Sequence, residues 1–396
     1  MNFLSIQGPA HLDQKSIIEA GSFYTPRHLV DEVGKMIQPY LDENDNPIIF
    51  DSSVGGGAFT QLMDGYDYRM ADSDPVSCNI LSAFADRNRV FHSNSLNEVS
   101  REKYLIPEDA YLIQIGNPPY NDTTSAYKKG EKGANECDPD LFDRDLGVSF
   151  LRSYAKLNSN LVCVLHPLAY LVKETNFKRL RTFRENYILR DAVIFSSSTF
   201  SGTGKGKFPI IIGLYEKNHE GMDYEFIRDF QFRILDTSKT FQLSKHETTD
   251  GFITKYPPRK NDPKESPIGL YYYTFRDINS LLRSASFQTQ PHYNAIVVTL
   301  ENLYQYAYLF ALRSLFNPTD RWLYGNLSPL IDRTFVEEHQ SELVRYAMDQ
   351  HPAFSELPEK TLNQIRSYYG VPGKEISSVI EDIEAELKTA INQLVD

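Results

Sequence analysis

Short apolar runs alternate with amphipathic stretches over the first 217 residues, a pattern typical of a parallel sheet with crossover helices. The run Leu161–Leu165 is apolar throughout, as strands buried on both faces are. The pattern therefore predicts a doubly wound α/β fold with a mostly parallel sheet of seven strands. The predicted strands are Pro47–Asp51, Tyr66–Asp72, Arg89–Asn94, Tyr111–Gly116, Asn160–His166, Leu189–Phe195 and Phe208–Glu216.

Helical patterns lie between these strands. The first is expected to begin with the Thr25 hydroxyl at the N-cap and Pro26 at the first helical position. A short helix is also expected directly after a run of glycines, near Ala58. The longer predicted helices are Arg27–Leu41, Pro75–Arg87, Asp145–Leu157 and Asn176–Asn186.

The pattern changes near residue 218. Residues 226–330 are rich in aromatic side chains and alternate between polar and apolar positions. Amphipathic helices are predicted at Phe335–Met348, Pro358–Tyr369 and Glu375–Val395. We expect two domains, residues 1–220 and a C-terminal α+β domain over residues 221–396.

Composition and charge limit the kinds of protein that this chain can be. The 396 residues carry a formal net charge of −12, yet residues 166–217 hold nine basic and four acidic groups, so basic charge is concentrated in the middle of the chain. No stretch approaches the roughly 18 apolar residues of a membrane span, and the first residues do not resemble a signal peptide. The three cysteines and nine histidines show no metal-ligand spacing. We expect a cytoplasmic protein without a metal site.

Three glycines, Gly55–Gly57, follow the first predicted strand. Glycine permits a tight turn and close approach of a ligand to the backbone. An acid, Asp72, ends the next strand, where such folds bind a ribose. The absence of a following Lys-Ser/Thr pair argues against a phosphate-binding P-loop. The alternative is a purely structural turn.

The most specific motif is Asn117-Pro118-Pro119-Tyr120, directly after the fourth predicted strand. An aryl amine is a poor nucleophile, and its methylation needs acceptors for both N–H groups. The Asn117 side-chain oxygen and the Pro118 carbonyl are two such acceptors, and two prolines stiffen the loop. Tyr120 offers a face on which a flat base stacks. The alternative is a surface turn, since Asn-Pro is a common turn dipeptide.

Together with Phe23-Tyr24-Thr25-Pro26 upstream, these motifs resemble the amino-group DNA methyltransferases of bacterial restriction–modification systems. The order of motifs is similar to the γ arrangement and to the modification subunits of type I systems. The resemblance covers roughly residues 20–217. It implies a seven-stranded, Rossmann-like methyltransferase sheet, S-adenosylmethionine as cofactor, duplex DNA as substrate, N6 of adenine as acceptor, and a specificity or restriction subunit as partner.

The resemblance also implies roles for individual residues. Asn117, Pro118, Pro119 and Tyr120 match the catalytic tetrapeptide. The matching cofactor-binding positions are Phe23, Tyr24, Thr25, Pro26, Asp51, Gly55, Gly57, Asp72, Asn94 and Asn117. Around the glycines, this chain reads Asp-Ser-Ser-Val-Gly-Gly-Gly where the family usually reads Asp-Pro-x-Cys-Gly-Ser-Gly; the glycine turn is kept.

Other residues are candidates for contact with nucleic acid. Phe200 is the candidate for a second ring against the extruded base, or else a core phenylalanine. Lys128, Lys129, Lys178 and Arg181 are candidates for phosphate contact, or else solvated surface. Two other functions remain open: methylation of a protein glutamine or of RNA, and a non-catalytic subunit that binds nucleic acid or a partner protein.

Overall fold

The computed structural model describes residues 25–120, 136–200, 208–257, 265–275, 280–281, 286–315, 328 and 331–371. The chain divides into two compact units between Leu243 and Ser244. The first unit contains a nine-stranded sheet and the second contains a three-stranded sheet with helices.

The nine-stranded sheet has the order β3-β2-β1-β4-β5-β7-β6-β8-β9. Strands β1 to β5 run parallel, and β7 lies antiparallel between β5 and β6. All seven strands expected from the sequence form, and the α/β fold class is confirmed. The strands are β1 Ile48–Asp51, β2 Asp67–Asp72, β3 Val90–His92, β4 Leu112–Gly116, β5 Leu161–Pro167, β6 Tyr187–Ser196, β7 Pro209–Lys217, β8 Phe232–Ile234 and β9 Thr240–Phe241.

The expected number of seven strands is wrong, because the sheet also contains β8 and β9. They extend the sheet beyond β6, with β8 parallel to β6 and β9 antiparallel to β8. At three and two residues, they are too short for an apolar pattern to predict. Both lie beyond the expected domain boundary at residue 220, so the sheet takes in more of the chain than the sequence pattern indicated.

Apolar clusters lie on both faces of this sheet. Because side chains alternate along a strand, Ile49 lies in one apolar cluster while Ile48 and Phe50 lie in the other. Leu29 and Val33 of the first helix pack into the same cluster as Ile49. The helices of this unit are α1 Arg27–Glu43, α2 Pro75–Leu81, α3 Leu146–Lys156, α4 Ala169–Val172, α5 Glu174–Phe177, α6 Thr182–Asn186 and α7 Tyr224–Asp229.

Tertiary contacts interrupt a helix that the pattern predicts as continuous over Asn176–Asn186. The chain instead forms α5, a 3₁₀ turn at Lys178–Leu180 and α6, with Arg181 at φ +48° between them. The Arg179 carbonyl accepts a hydrogen bond from the buried Arg152 guanidinium at 3.0 Å. That contact fixes the chain direction here and overrides local periodicity. The helix expected over Pro75–Arg87 is also shorter, since α2 ends at Leu81.

The second unit has short antiparallel strands in the order β11-β10-β12. The helix predicted over Phe335–Met348 is divided at His339 into α9 and α10, and Glu375–Val395 lies outside the described residues. In the part of the chain described here, no helix has the length and apolarity to cross a membrane. The elements are β10 Tyr271–Tyr273, β11 Phe287–Gln288, β12 Ala295–Val297, α8 Leu303–Leu315, α9 Arg333–Glu338, α10 Gln340–Gln350 and α11 Glu359–Tyr369.

Candidate active site

The carboxyl ends of four adjacent parallel strands carry the polar residues singled out in the sequence. Asp51 ends β1, Asp72 ends β2, Asn94 follows β3 and Asn117 follows β4. Since these strands are neighbours in the order β3-β2-β1-β4, the four side chains belong to one edge of the sheet. In open α/β sheets, this edge is where ligands bind.

Asp51 is buried, with 1% of its surface exposed. Its Oδ1 accepts a hydrogen bond from the Ser53 backbone N–H at 3.0 Å, whereas Oδ2 accepts none from the described residues. Burial raises the pKa of Asp51 to about 8, and the nearby Asp72 charge acts in the same direction. The site therefore contains a carboxyl group with a free, desolvated oxygen.

The glycine turn is closed by Asp72. Gly55 and Gly57 have φ of +48° and +77°, values that favour glycine. The Gly55 N–H donates to Asp72 Oδ2 at 2.7 Å, and the Asp74 N–H donates to Oδ1 at 2.9 Å. Burial raises the pKa of Asp72. These bonds to the backbone of the turn give Asp72 a structural role that sequence analysis missed, and the carboxylate keeps acceptor capacity for a ligand. A 3₁₀ turn at Thr60–Met63 takes the place of the short helix expected near Ala58.

Asn117 presents a buried acceptor. Its Nδ2 donates a hydrogen bond to Thr25 Oγ1 at 3.2 Å, while its Oδ1 is buried and accepts no hydrogen bond from the described residues. Pro118 is buried beside it. The expected capping role of Thr25 is wrong, since Pro26 occupies the N-cap of α1 and no side chain caps that helix. The Thr25 hydroxyl binds Asn117 instead.

Tyr120 packs against the apolar cluster that contains Ile115. A methyl group added to Gly147 in α3 would lie 3.0 Å from Tyr120 Cβ and 2.5 Å from the Tyr170 hydroxyl oxygen, so all three residues meet closely. The Tyr170 hydroxyl donates to Asp145, which also caps α3 through the Gly147 N–H at 3.1 Å. Desolvation raises the pKa of Asp145 to about 6. Of Asp145, Gly147 and Tyr170, the sequence pattern marked only Asp145, as the start of a predicted helix.

Asn94 uses its amide within the protein. Its Nδ2 donates to the Glu136 carbonyl at 2.6 Å, and its Oδ1 accepts from the Leu96 N–H at 3.0 Å. These contacts connect the end of β3 to the chain at Glu136. The cofactor contact expected for Asn94 stays a prediction, and it would use the remaining lone pair of Oδ1.

Phe200 lies in the core. It is 2% exposed, and its ring packs edge-to-face on Phe195 at 5.7 Å. The structure therefore places Phe200 in the same apolar cluster that Tyr120 contacts, with no open ring face. To stack on a base, the ring would have to leave this packing.

The candidate phosphate contacts have different surroundings. Lys178 pairs with Glu174 at 2.6 Å, and both side chains are exposed. Arg181 is exposed and forms no ion pair with the described part of the chain. Four other predicted site residues, Phe23, Tyr24, Lys128 and Lys129, lie outside the described residues.

Gln114 is a polar residue that sequence analysis did not single out. It is fully buried in β4, and neither amide atom has a hydrogen-bond partner in the described chain. The hydroxyl oxygen of Ser53 is also buried without one. Such groups are rare unless water or a ligand satisfies them. The sequence signal for this site was a polar residue, Gln114, inside the otherwise apolar strand Leu112–Gly116.

His166 is part of the core. Its Nε2 accepts a hydrogen bond from the Tyr215 hydroxyl at 2.7 Å, and its ring stacks on Tyr170 at 5.4 Å. Desolvation lowers its pKa to about 4, so the ring is neutral at neutral pH. Within the described ranges, no three side chains of His, Cys, Asp or Glu lie together as metal ligands would.

No protein-family model matches the sequence, and neither does any curated protein. Solved structures do match. A candidate class I S-adenosylmethionine-dependent methyltransferase from Listeria monocytogenes is 14% identical (TM-score 0.39; 57% of this chain, 70% of that chain). A candidate RNA methyltransferase from Pyrococcus horikoshii is 13% identical (0.34; 54% and 93%). A type I restriction–modification methyltransferase subunit from Streptococcus thermophilus is 13% identical (0.33; 54% and 51%).

Proposed function

We propose that this protein is an S-adenosylmethionine-dependent methyltransferase that methylates N6 of an adenine extruded from duplex DNA. The observation that carries the proposal is the Asn117 side chain, whose Oδ1 is a buried acceptor without a partner in the described chain. It stands at the carboxyl end of β4, next to Pro118 and Tyr120. An acceptor in this position suits an exocyclic amine better than a structural turn, since a structural turn would satisfy its own polar atoms.

The residues at the edge of the sheet fit the cofactor. When bound, S-adenosylmethionine supplies an electrophilic methyl group on a sulfonium, together with a cationic amine and a ribose. Asp51 offers a carboxyl oxygen free of hydrogen bonds from the described residues beside the glycine turn. Asp72 retains acceptor capacity for ribose hydroxyls. A nearby positive charge would favour the ionised form of Asp51.

In this proposal, the protein contributes alignment and electrostatics. Asn117 Oδ1 accepts one N–H of the amine, and the Pro118 carbonyl accepts the other. Holding both hydrogens turns the nitrogen lone pair away from the ring system and toward the methyl donor. The Tyr120 ring stacks on the extruded base. Asn117 and Pro118 are neutral acceptors, so this binding requires no side chain of shifted pKa.

Partner macromolecules are proposed on the resemblance of the motifs. Duplex DNA is the proposed substrate, and a specificity or restriction subunit the proposed partner. Residues 226–330, aromatic and basic, are the proposed region for target recognition.

The test measures transfer of labelled methyl from S-adenosylmethionine to mixed-sequence duplex DNA, followed by identification of the labelled nucleoside. Label should appear as N6-methyladenine with the wild-type protein and fall by at least about 100-fold in Asn117→Ala. Asn97→Ala, which alters an asparagine outside the proposed site, should keep full activity. Asn97→Ala should also bind cofactor as the wild type does.

Other outcomes discriminate between functions. Label in RNA or in a protein glutamine, with none in DNA, would replace the substrate while keeping the chemistry. Stoichiometric cofactor binding without transfer to any of these would favour a non-catalytic subunit. A wild-type protein that binds no S-adenosylmethionine would overturn the proposal.

A further inference from the structure

Thr25 is buried, with 3% of its surface exposed, and it precedes Pro26, the N-cap residue of α1. A threonine caps a helix from the N-cap position, which Pro26 occupies. The N–H groups of Leu29 and Val30, in the first turn of α1, donate hydrogen bonds to the Pro26 carbonyl at 3.1 and 3.3 Å. The Thr25 hydroxyl does not cap the helix. The hydroxyl is therefore available for another contact.

That contact is the hydrogen bond from Asn117 Nδ2 to Thr25 Oγ1, at 3.2 Å. It joins residues 92 positions apart in the chain, so it depends on the tertiary fold. Thr25 is buried and Asn117 is partly buried, and a hydrogen bond shielded from water restrains geometry more strongly than one at the surface. Among the described residues, it is the one side-chain hydrogen bond that holds the Asn117 amide.

An asparagine amide has one accepting oxygen and one donating nitrogen, in groups of nearly equal size. The bond from Nδ2 to Thr25 restrains the plane of the amide, and with Nδ2 on that side Oδ1 faces the other way, as an acceptor without a partner among the described residues. Alignment of the substrate amine with the methyl donor contributes a large part of the rate of methyl transfer. Restraining the Asn117 amide therefore affects kcat.

We propose that Thr25 is a positioning residue that orients the Asn117 amide so that Oδ1 accepts the substrate amine. This inference rests on the proposed function. Thr25 acts through Asn117 and does not contact the reacting atoms. Because Thr25 precedes Pro26, its bond connects the start of α1 with the acceptor loop after β4.

The matched variants are Thr25→Val, which replaces the hydroxyl with a methyl of similar size, and Thr25→Ser, which keeps it. Loss of one hydrogen bond predicts that Thr25→Val lowers kcat about fivefold to tenfold. Thr25→Ser should keep kcat within about twofold of the wild type. Equal kcat for Thr25→Val and the wild type would overturn the inference while leaving the proposed function intact.

A second readout does not need activity. With nitrogen-15-labelled asparagine, the Asn117 side-chain amide signal is the one that disappears in Asn117→Ala. In Thr25→Val, this signal should shift and exchange its hydrogens faster, and in Thr25→Ser it should stay near its wild-type position. If Thr25→Val does not fold, Thr25→Ala provides the same comparison. An unmoved signal in the hydroxyl-free variant would refute the positioning role, whereas a wild-type protein inactive on DNA would refute the proposed function.

Discussion

The α-carbon of Gly116 lies against the carboxyl group of Asp51. A methyl group added at Gly116 would be 2.7 Å from Asp51 Oδ1, closer than carbon and oxygen approach in proteins. Gly116 also has φ +144°, which residues with side chains rarely adopt. This glycine directly precedes Asn117, so the position of the acceptor loop depends on its small size and backbone conformation.

Gly116→Ala should destabilise the protein and displace Asn117. We expect a loss of about 2–4 kcal/mol in the free energy of unfolding, because overpacking and backbone strain act together. Denaturant titration measures this, and cofactor binding should weaken in parallel. Gly56→Ala is the control, since no atom lies within 4 Å of the added methyl. Equal stability of the two variants would show that Asp51 moves aside freely.

Asp51→Asn should change the pH dependence of stability. The pKa of Asp51 is about 8 in the folded protein against 3.8 for the free side chain. Between these values the folded state holds a proton that the unfolded state has lost, so stability decreases as pH rises through this window. The substitution removes this contribution.

The measurement compares unfolding of cofactor-free Asp51→Asn and wild type at pH 5 and pH 8. The variant should gain stability relative to the wild type as pH rises. Asp145, whose pKa is about 6, titrates in both proteins and cancels in the difference. A difference independent of pH would contradict a raised pKa at Asp51.

Asp143→Ala should be strongly destabilising. Asp143 pairs with Arg179 and with Arg152, whose surface is 1% exposed. Removing the carboxylate leaves a buried guanidinium charge uncompensated, which costs about 3–5 kcal/mol. Glu174→Ala is the control, since its pair with Lys178 is exposed and contributes at most about 1 kcal/mol. Thermal or denaturant unfolding distinguishes them.

The same carboxyl should respond to acid. Burial alone would raise the pKa of Asp143, but the hydrogen bond and charge of Arg179 outweigh it and hold the pKa below its usual value. Its contribution to stability is therefore present above about pH 4 and is lost as pH falls through the folded-state pKa. In Asp143→Ala, the free energy of unfolding should therefore depend less on pH in this acidic range. The same acid dependence in the variant and the wild type would contradict the pairing of Asp143 with Arg179.

Arg181→Ala should weaken DNA binding uniformly across sequences and reduce the slope of log K against log salt by about 1. Arg181 is exposed and has no acid partner among the described residues, so its charge is available to a phosphate. Arg190→Ala is the control, because Arg190 pairs with Glu216 at 2.6 Å. An unchanged slope in Arg181→Ala would remove this residue from the DNA-binding surface.

Arg181→Gly separates binding from stability at the same position. Because Arg181 has φ +48° and ψ −120°, glycine should relieve strain of about 1 kcal/mol while losing the charge. We expect a protein at least as stable as Arg181→Ala that binds DNA no better. Lower stability of the glycine variant would indicate that the arginine side chain supports the fold.

The sheet was predictable because buried parallel strands are continuous apolar runs, as in Leu161–Leu165. The positions of Asp51, Asp72 and Asn117 at strand ends followed from the same pattern. Strands β8 and β9 did not, since two or three residues give no measurable period. Their pairing depends on the edge of β6, which only the folded sheet provides.

Side-chain partners were less predictable than strand ends. Local rules assigned Thr25 to a helix cap, and a contact with Asn117, distant in sequence, replaced that role. Periodicity likewise predicted one helix over Asn176–Asn186, and the contact between Arg152 and Arg179 interrupts it. In each case a tertiary hydrogen bond outweighs a local preference worth about 1 kcal/mol.

The insertion of β7 between β5 and β6 has a consequence for synthesis on the ribosome. Strand β6 emerges first but has no partner in the sheet until Pro209–Lys217 has also emerged, because β7 pairs with both neighbours. A truncation before residue 209 would leave β5 and β6 with open edges, which invite aggregation. The shortest fragment expected to remain soluble therefore extends through β9, to about residue 243.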